Sequence, residues 1–194
     1  LIAMPDGHAV VIRTAPPLSS TTLPAVLVEA NAEQETTTGP VQGYVAKRSL
    51  TGTKTDTPVI ETPQSISVVT ADQMQVQKAQ SLQDALGYTA GVASQVVNSN
   101  PLTSDSVLLR GFDAVPESGN FYRDGMRYMG TIFGGKQEPY GLERLEVIKG
   151  ASSVLYGTVA PGGLVNSVGK RPTLTPLRLV NLEYSSFHRK QAPA

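Results

Sequence analysis

The stretch Leu142-Glu143-Arg144-Leu145-Glu146-Val147-Ile148-Lys149-Gly150 sets aliphatic residues among charges and closes on a glycine. Leu145, Val147 and Ile148 favour extended backbone, so it reads as a strand that ends at Lys149-Gly150. Glu143 and Glu146 would share a side only on a helix; on a strand their odd spacing points them to opposite faces. That argues against paired acid–base work and makes them partners for arginines.

Working outward, Ser152–Tyr156 is a one-turn helix closed by Gly157, and Leu164–Val168 is a further strand. Upstream, Phe121-Tyr122-Arg123 and Met126-Arg127-Tyr128 are the arms of a hairpin about Asp124-Gly125. Val107–Leu109 is another strand. Ile66–Val69 runs into Thr70 with Gln73 three residues on, a capping box for a short helix bearing Met74 and Val76. Ser81 with Asp84 caps a second one, whose face is Leu82, Ala85 and Leu86 and whose end is Gly87. Strands and short helices alternate without regular βαβ spacing, which indicates α+β.

The flanks differ in character. Residues 1–13 read as two short strands about Asp6-Gly7, a hairpin too small to stand alone. Residues 14–57, with Pro16-Pro17 and a run of Ser, Thr and Glu, read as a linker, and folding starts near Thr57. Within the linker, Leu23-Pro24-Ala25-Val26-Leu27-Val28-Glu29 is a short extended stretch that Pro24 bars from a central strand. Residues 178–187 alternate, Val180, Leu182 and Tyr184 against Asn181, Glu183 and Ser185. Both an outer-membrane barrel strand and a half-buried strand of a soluble sheet have that pattern.

Composition excludes several classes. Lys plus Arg and Asp plus Glu are 16 each, giving no net charge and no electrostatic case for nucleic acid. Without cysteine there are no disulfides or thiolate metal sites, and His8 and His188 stand near opposite ends, which disfavours a shared zinc site. No apolar run nears the roughly 20 residues of a spanning helix, and no leader peptide is visible at Leu1. Gly163 to Lys170 mimics a phosphate loop, but has five residues between its glycines and Arg171 where a metal-binding hydroxyl belongs. No catalytic constellation and no metal site is expected.

Taken in order, the motifs resemble one family. Glu61-Thr62-Pro63-Gln64-Ser65-Ile66-Ser67-Val68-Val69-Thr70 is similar to the opening of the plug of TonB-dependent siderophore receptors. Leu82-Gln83-Asp84-Ala85-Leu86 with Gly91-Val92, Leu109-Arg110-Gly111-Phe112 and Tyr122-Arg123-Asp124-Gly125 follow at the family's spacings. Residues 142–150, Ser153-Val154-Leu155-Tyr156-Gly157, Pro161-Gly162-Gly163-Leu164-Val165-Asn166 and Lys170-Arg171-Pro172 complete the set. Ala151 departs from the family's usual proline, and Ser167-Val168-Gly169 from a more apolar stretch.

The resemblance, to the ferrichrome-type members in particular, implies a plug over residues 58–172: a small mixed β-sheet with short helices inside a barrel of about 22 strands. Residues 173–194 would begin that barrel. A unit of about 115 residues is roughly 35 Å across, and a barrel of that strand number leaves a lumen of about that width. Residues 22–29 resemble a TonB box, from Leu23 to Glu29, the segment grasped by the periplasmic domain of TonB. Residues 1–13 resemble the end of a periplasmic signalling domain, whose partner would be an anti-sigma regulator. Arg110 and Arg144 match plug arginines that pair with barrel-wall carboxylates, and in a chain holding so little barrel they are expected to be exposed. Asn98, Glu117, Tyr128 and Phe133 match loops that contact a ferric siderophore, which is the ligand, with no cofactor on protein side chains. Phe133 stands where the best-known members have a tyrosine. The implied location is the outer membrane of a Gram-negative bacterium, with the plug facing the periplasm. The alternatives are periplasmic signalling and a soluble binding module using the plug fold.

Overall fold

The computed structural model describes residues 35–94, 104–128 and 135–172 in full, Pro176, and the short strands at 2–6, 9–13, 183–184 and 190–191. Two compact units result, Leu1–Ala32 and Glu33–Ala194. In the first, β1 (Ile2–Asp6) and β2 (Ala9–Arg13) pair antiparallel, Ile2 opposite Arg13 and Asp6 opposite Ala9. Asp6, expected in the turn with Gly7, is instead the last residue of β1, so the connection falls one residue later than expected. The stretch Leu23–Glu29 lies outside the described residues.

The second unit begins with β3 (Arg48–Ser49) and β4 (Thr57–Pro58), a short antiparallel pair. Then follow β5 (Ser65–Thr70), α1 (Ala71–Val76), α2 (Leu82–Leu86), β6 (Val92–Ala93), β7 (Val107–Leu109) and β8 (Phe112–Ala114). After them come β9 (Phe121–Arg123), β10 (Met126–Arg127), β11 (Leu142–Lys149), α3 (Ser153–Tyr156) and β12 (Gly163–Gly169). The main sheet has five strands in the order β10-β9-β12-β11-β5. It is mixed, because β12 runs antiparallel to β11 but parallel to β9. A second sheet, β6-β7-β8, has three.

The helices start where their caps dictate. The Thr70 side chain accepts the Gln73 N–H and that of Ser81 the Asp84 N–H, each satisfying a first-turn donor that has no partner within its helix. Met74 is buried as its spacing requires, but Val76 is exposed, so α1 shows the core only one side. Asp124 and Gly125 both have positive φ, 51° and 80°, the geometry that closes a two-residue hairpin between β9 and β10. At Gly163, φ is 126° and a Cβ would overlap the Ile148 carbonyl oxygen, so only glycine lets β12 pass this close to β11.

β11 is buried from Leu142 to Ile148, and its alternation assigns the two faces. Leu145 and Val147 join Val165, Phe121, Leu82, Leu86 and Leu109 in the principal apolar cluster. Each fully buried aliphatic side chain there contributes about 1.5–3 kcal/mol. Arg144, Glu146 and Ile148 alternate with them, and Ile148 packs with Tyr122, Tyr156 and Leu164 in a smaller cluster.

Above that second set lies a strap, residues 35–56. The expectation of a linker through residue 57 fails for this part: Thr37, Val41, Ser49 and Thr51 are buried in it. Its polar side chains find partners on β11 and β12 about a hundred residues away, so composition alone misreads it. Of residues 178–187 only Glu183 and Tyr184 are described, as β13, which pairs with β14 (Lys190–Gln191). The rest of that expectation lies outside the described residues.

Candidate functional site

A seam of buried polar groups runs between strap and sheet in the second unit. Arg144 is fully buried, contrary to the exposure expected of it, because strap groups surround its guanidinium. Nη2 donates to the carbonyls of Thr36 (2.6 Å) and Gly39 (3.2 Å), and Nη1 to that of Arg48 (3.2 Å). Glu35 lies 3.6 Å from Nη1, and Glu146, equally buried, 3.7 Å from Nε. The Glu146 Oε1 and Arg144 Nε atoms have charge contact without a hydrogen bond.

Glu146 turns its other oxygen to the strap, accepting from the Ser49 hydroxyl (2.8 Å) and from the Thr51 hydroxyl and N–H. Glu143 accepts the Val41 N–H at 3.3 Å. The two glutamates are thus strap anchors, and only Glu146 is an arginine partner. Asn166 donates to the Thr51 hydroxyl, and Tyr156 donates to the Thr51 carbonyl. Burial pushes the Tyr156 phenol up to about 12. Lys54 sits 3.6 Å over the Tyr156 ring, and burial lowers its ammonium. Thr38, Thr51, Lys54, Tyr156, Asn166 and Arg171 line a cleft along this seam.

Arg110 is placed differently. It is exposed, with a left-handed φ of 50°, and its N–H donates to Gly91. Among the described residues no carboxylate lies within ion-pair distance of it. Lys149 is close by, bonded to Ser67 and to the Ala90 carbonyl. Tyr128 packs against the principal cluster and donates its N–H to Phe121, while Glu117 is exposed in the turn Pro116–Ser118. Asn98 and Phe133 lie outside the described residues.

Sequence reading missed a further buried acid. Asp105 accepts the Gln137 N–H at 2.7 Å, while Gln83 donates to the Ser104 carbonyl. Burial pushes the Asp105 carboxyl up to about 6, against the Gln137 bond and Lys136, which lower it. Its only sequence signal was a carboxylate next to a strand start. No group of three or more potential metal ligands occurs among the described residues.

The mixed sheet thus carries its principal apolar cluster on one face and, on the other, a smaller cluster beneath a polar strap. Residues 58–164 match the model of the TonB-dependent Receptor Plug Domain, and the chain belongs to that family. It is 44% identical over 155 residues to the ferrichrome outer membrane transporter/phage receptor of Escherichia coli K12, covering 79% of this chain and 21% of that relative. To the ferrioxamine receptor of Yersinia enterocolitica it is 40% identical over 162 residues, 82% of this chain and 22% of the relative. The chain therefore spans about a fifth of the length of these relatives. In three dimensions it is similar to the closed form of the Escherichia coli K12 ferric-catecholate import receptor Fiu, with a TM-score of 0.57 and 32% identity, covering 67% of this chain and 18% of that one. The ferripyoverdine receptor of the outer membrane of Pseudomonas aeruginosa gives 0.57 at 26% identity, over 72% and 18%. These relatives are receptors and transporters rather than enzymes.

Proposed function

We propose that this chain is the gating and coupling part of an outer-membrane receptor that imports ferric siderophores, driven from the periplasm by TonB. The observation that carries this reading is 44% identity to a ferrichrome transporter running through the plug. The ligand class that follows is a ferric siderophore of the ferrichrome or ferrioxamine kind.

In this reading the plug closes a barrel lumen, and Asn98, Glu117, Tyr128 and Phe133 contact ligand from outside. Leu23–Glu29 serves as the TonB box, an extended peptide that adds to a sheet edge of TonB. Arg110 is the arginine that meets a barrel-wall carboxylate; its exposure, and the lack of a carboxylate within ion-pair distance among the described residues, support that role. The barrel role for Arg144 has less support, since both its Nη atoms donate to strap carbonyls within the plug.

The test is iron-55 uptake by cells lacking other siderophore receptors and expressing the full-length receptor. Ferrichrome or ferrioxamine should be taken up, and uptake should stop when TonB is deleted. Equal uptake with and without TonB, or none of either siderophore, would overturn the reading.

A further inference from the structure

The strap is bonded to the sheet almost wholly by polar groups. Val41 is its only buried apolar side chain, and it belongs to neither apolar cluster. At its N-terminal end the Glu35 carboxylate accepts the N–H groups of Lys47 (2.9 and 3.0 Å) and Arg48 (3.3 Å) while facing Arg144. One carboxylate thus closes the loop 36–46 and ties it to β11. Further along, Asp72 accepts the Gly43 N–H at 2.6 Å, and Glu146 takes Ser49 and Thr51.

Such a segment can leave the sheet in one step. The principal apolar cluster on the other face would lose almost nothing, whereas removing one partner of a buried charge group strands the others and destabilises the whole set. Glu35 is also the sixth residue after Glu29, so at most about 20 Å of chain separates this anchor from the proposed TonB box.

We propose that Glu35, Arg144 and Glu146 are positioning residues for the TonB box, holding the point at which the chain leaves the plug and so limiting capture by TonB. This rests on the reading of Leu23–Glu29 as that box.

The experiment uses the full-length receptor with Glu35→Ala and, at the far anchor, Thr51→Val. Three readouts are taken: affinity for the TonB periplasmic domain with and without ferrichrome, affinity for ferrichrome, and amide exchange. In both variants, capture without siderophore should strengthen about tenfold and the gain on adding siderophore should shrink. Ferrichrome affinity should stay unchanged. The amides of Val41, Gly43, Lys47 and Arg48 should exchange faster, with those of β11 and β12 as protected as in the parent. Unchanged capture despite faster strap exchange would overturn the proposal. So would loss of protection in β11 and β12, which would make these residues general stabilisers. If the parent receptor itself is not captured, or Val26→Pro does not abolish capture, it is the TonB-box reading that has failed.

Discussion

Asp105 is an acid held where water does not reach it, spending one oxygen on the Gln137 N–H. Its carboxyl is raised from 3.8 to about 6, chiefly by burial. A folded-state value above the unfolded one means that the folded chain holds the proton more tightly. The contribution of this group is therefore fully favourable below about pH 4, and is lost as pH rises through about 6. Asp105→Asn keeps an oxygen for Gln137 and removes the ionisable group. The variant should exceed the parent by about 1–3 kcal/mol at pH 7.5 and lose that advantage by pH 4. Denaturant midpoints of the plug at the two pH values check this. Arg144 is the companion case at this scale. Its residue type and place in the motif were legible in the sequence, but its burial was not, because the carbonyls that surround it carry no sequence signal.

Among the elements, those with a local signature were legible. The cap at Thr70, the hairpin at Asp124-Gly125 and the aliphatic run of β11 each write their structure into a few neighbouring residues. The strap does not: Ser49, Thr51 and Glu35 look like linker residues until the acid, amide and arginine from β11 and β12 stand opposite them. Val76 shows the converse limit, a correct helix with one position on the wrong side. Thr70 links the two kinds of element. Its hydroxyl caps α1 and also donates to the Gly43 carbonyl of the strap at 2.6 Å. Thr70→Ala should therefore cost about 1–2 kcal/mol, more than a cap alone, and should speed amide exchange at both Gln73 and the strap. Faster exchange at Gln73 alone would show that the strap is held without it.

At the scale of the molecule, the plug is a mixed five-stranded sheet that hides an ion-pair network beneath a polar strap. Its fold class followed from the irregular alternation of elements, and its family from motifs spread over residues 58–172. The site was less legible, because the residues proposed to contact ligand are scattered along the sequence and Arg110 carries no sign of the carboxylate proposed to meet it. The account joins this plug to an energy source through seven residues, Leu23–Glu29. Proline at Val26 would remove a backbone donor from that stretch and leave the sequence of the plug unchanged. The most direct test is a titration of the full-length receptor with the periplasmic domain of TonB, beside its Val26→Pro variant. The account predicts saturable binding by the parent, none by the variant, and equal affinity of both for ferrichrome. Equal capture of parent and variant, or loss of ferrichrome binding together with capture, would contradict it.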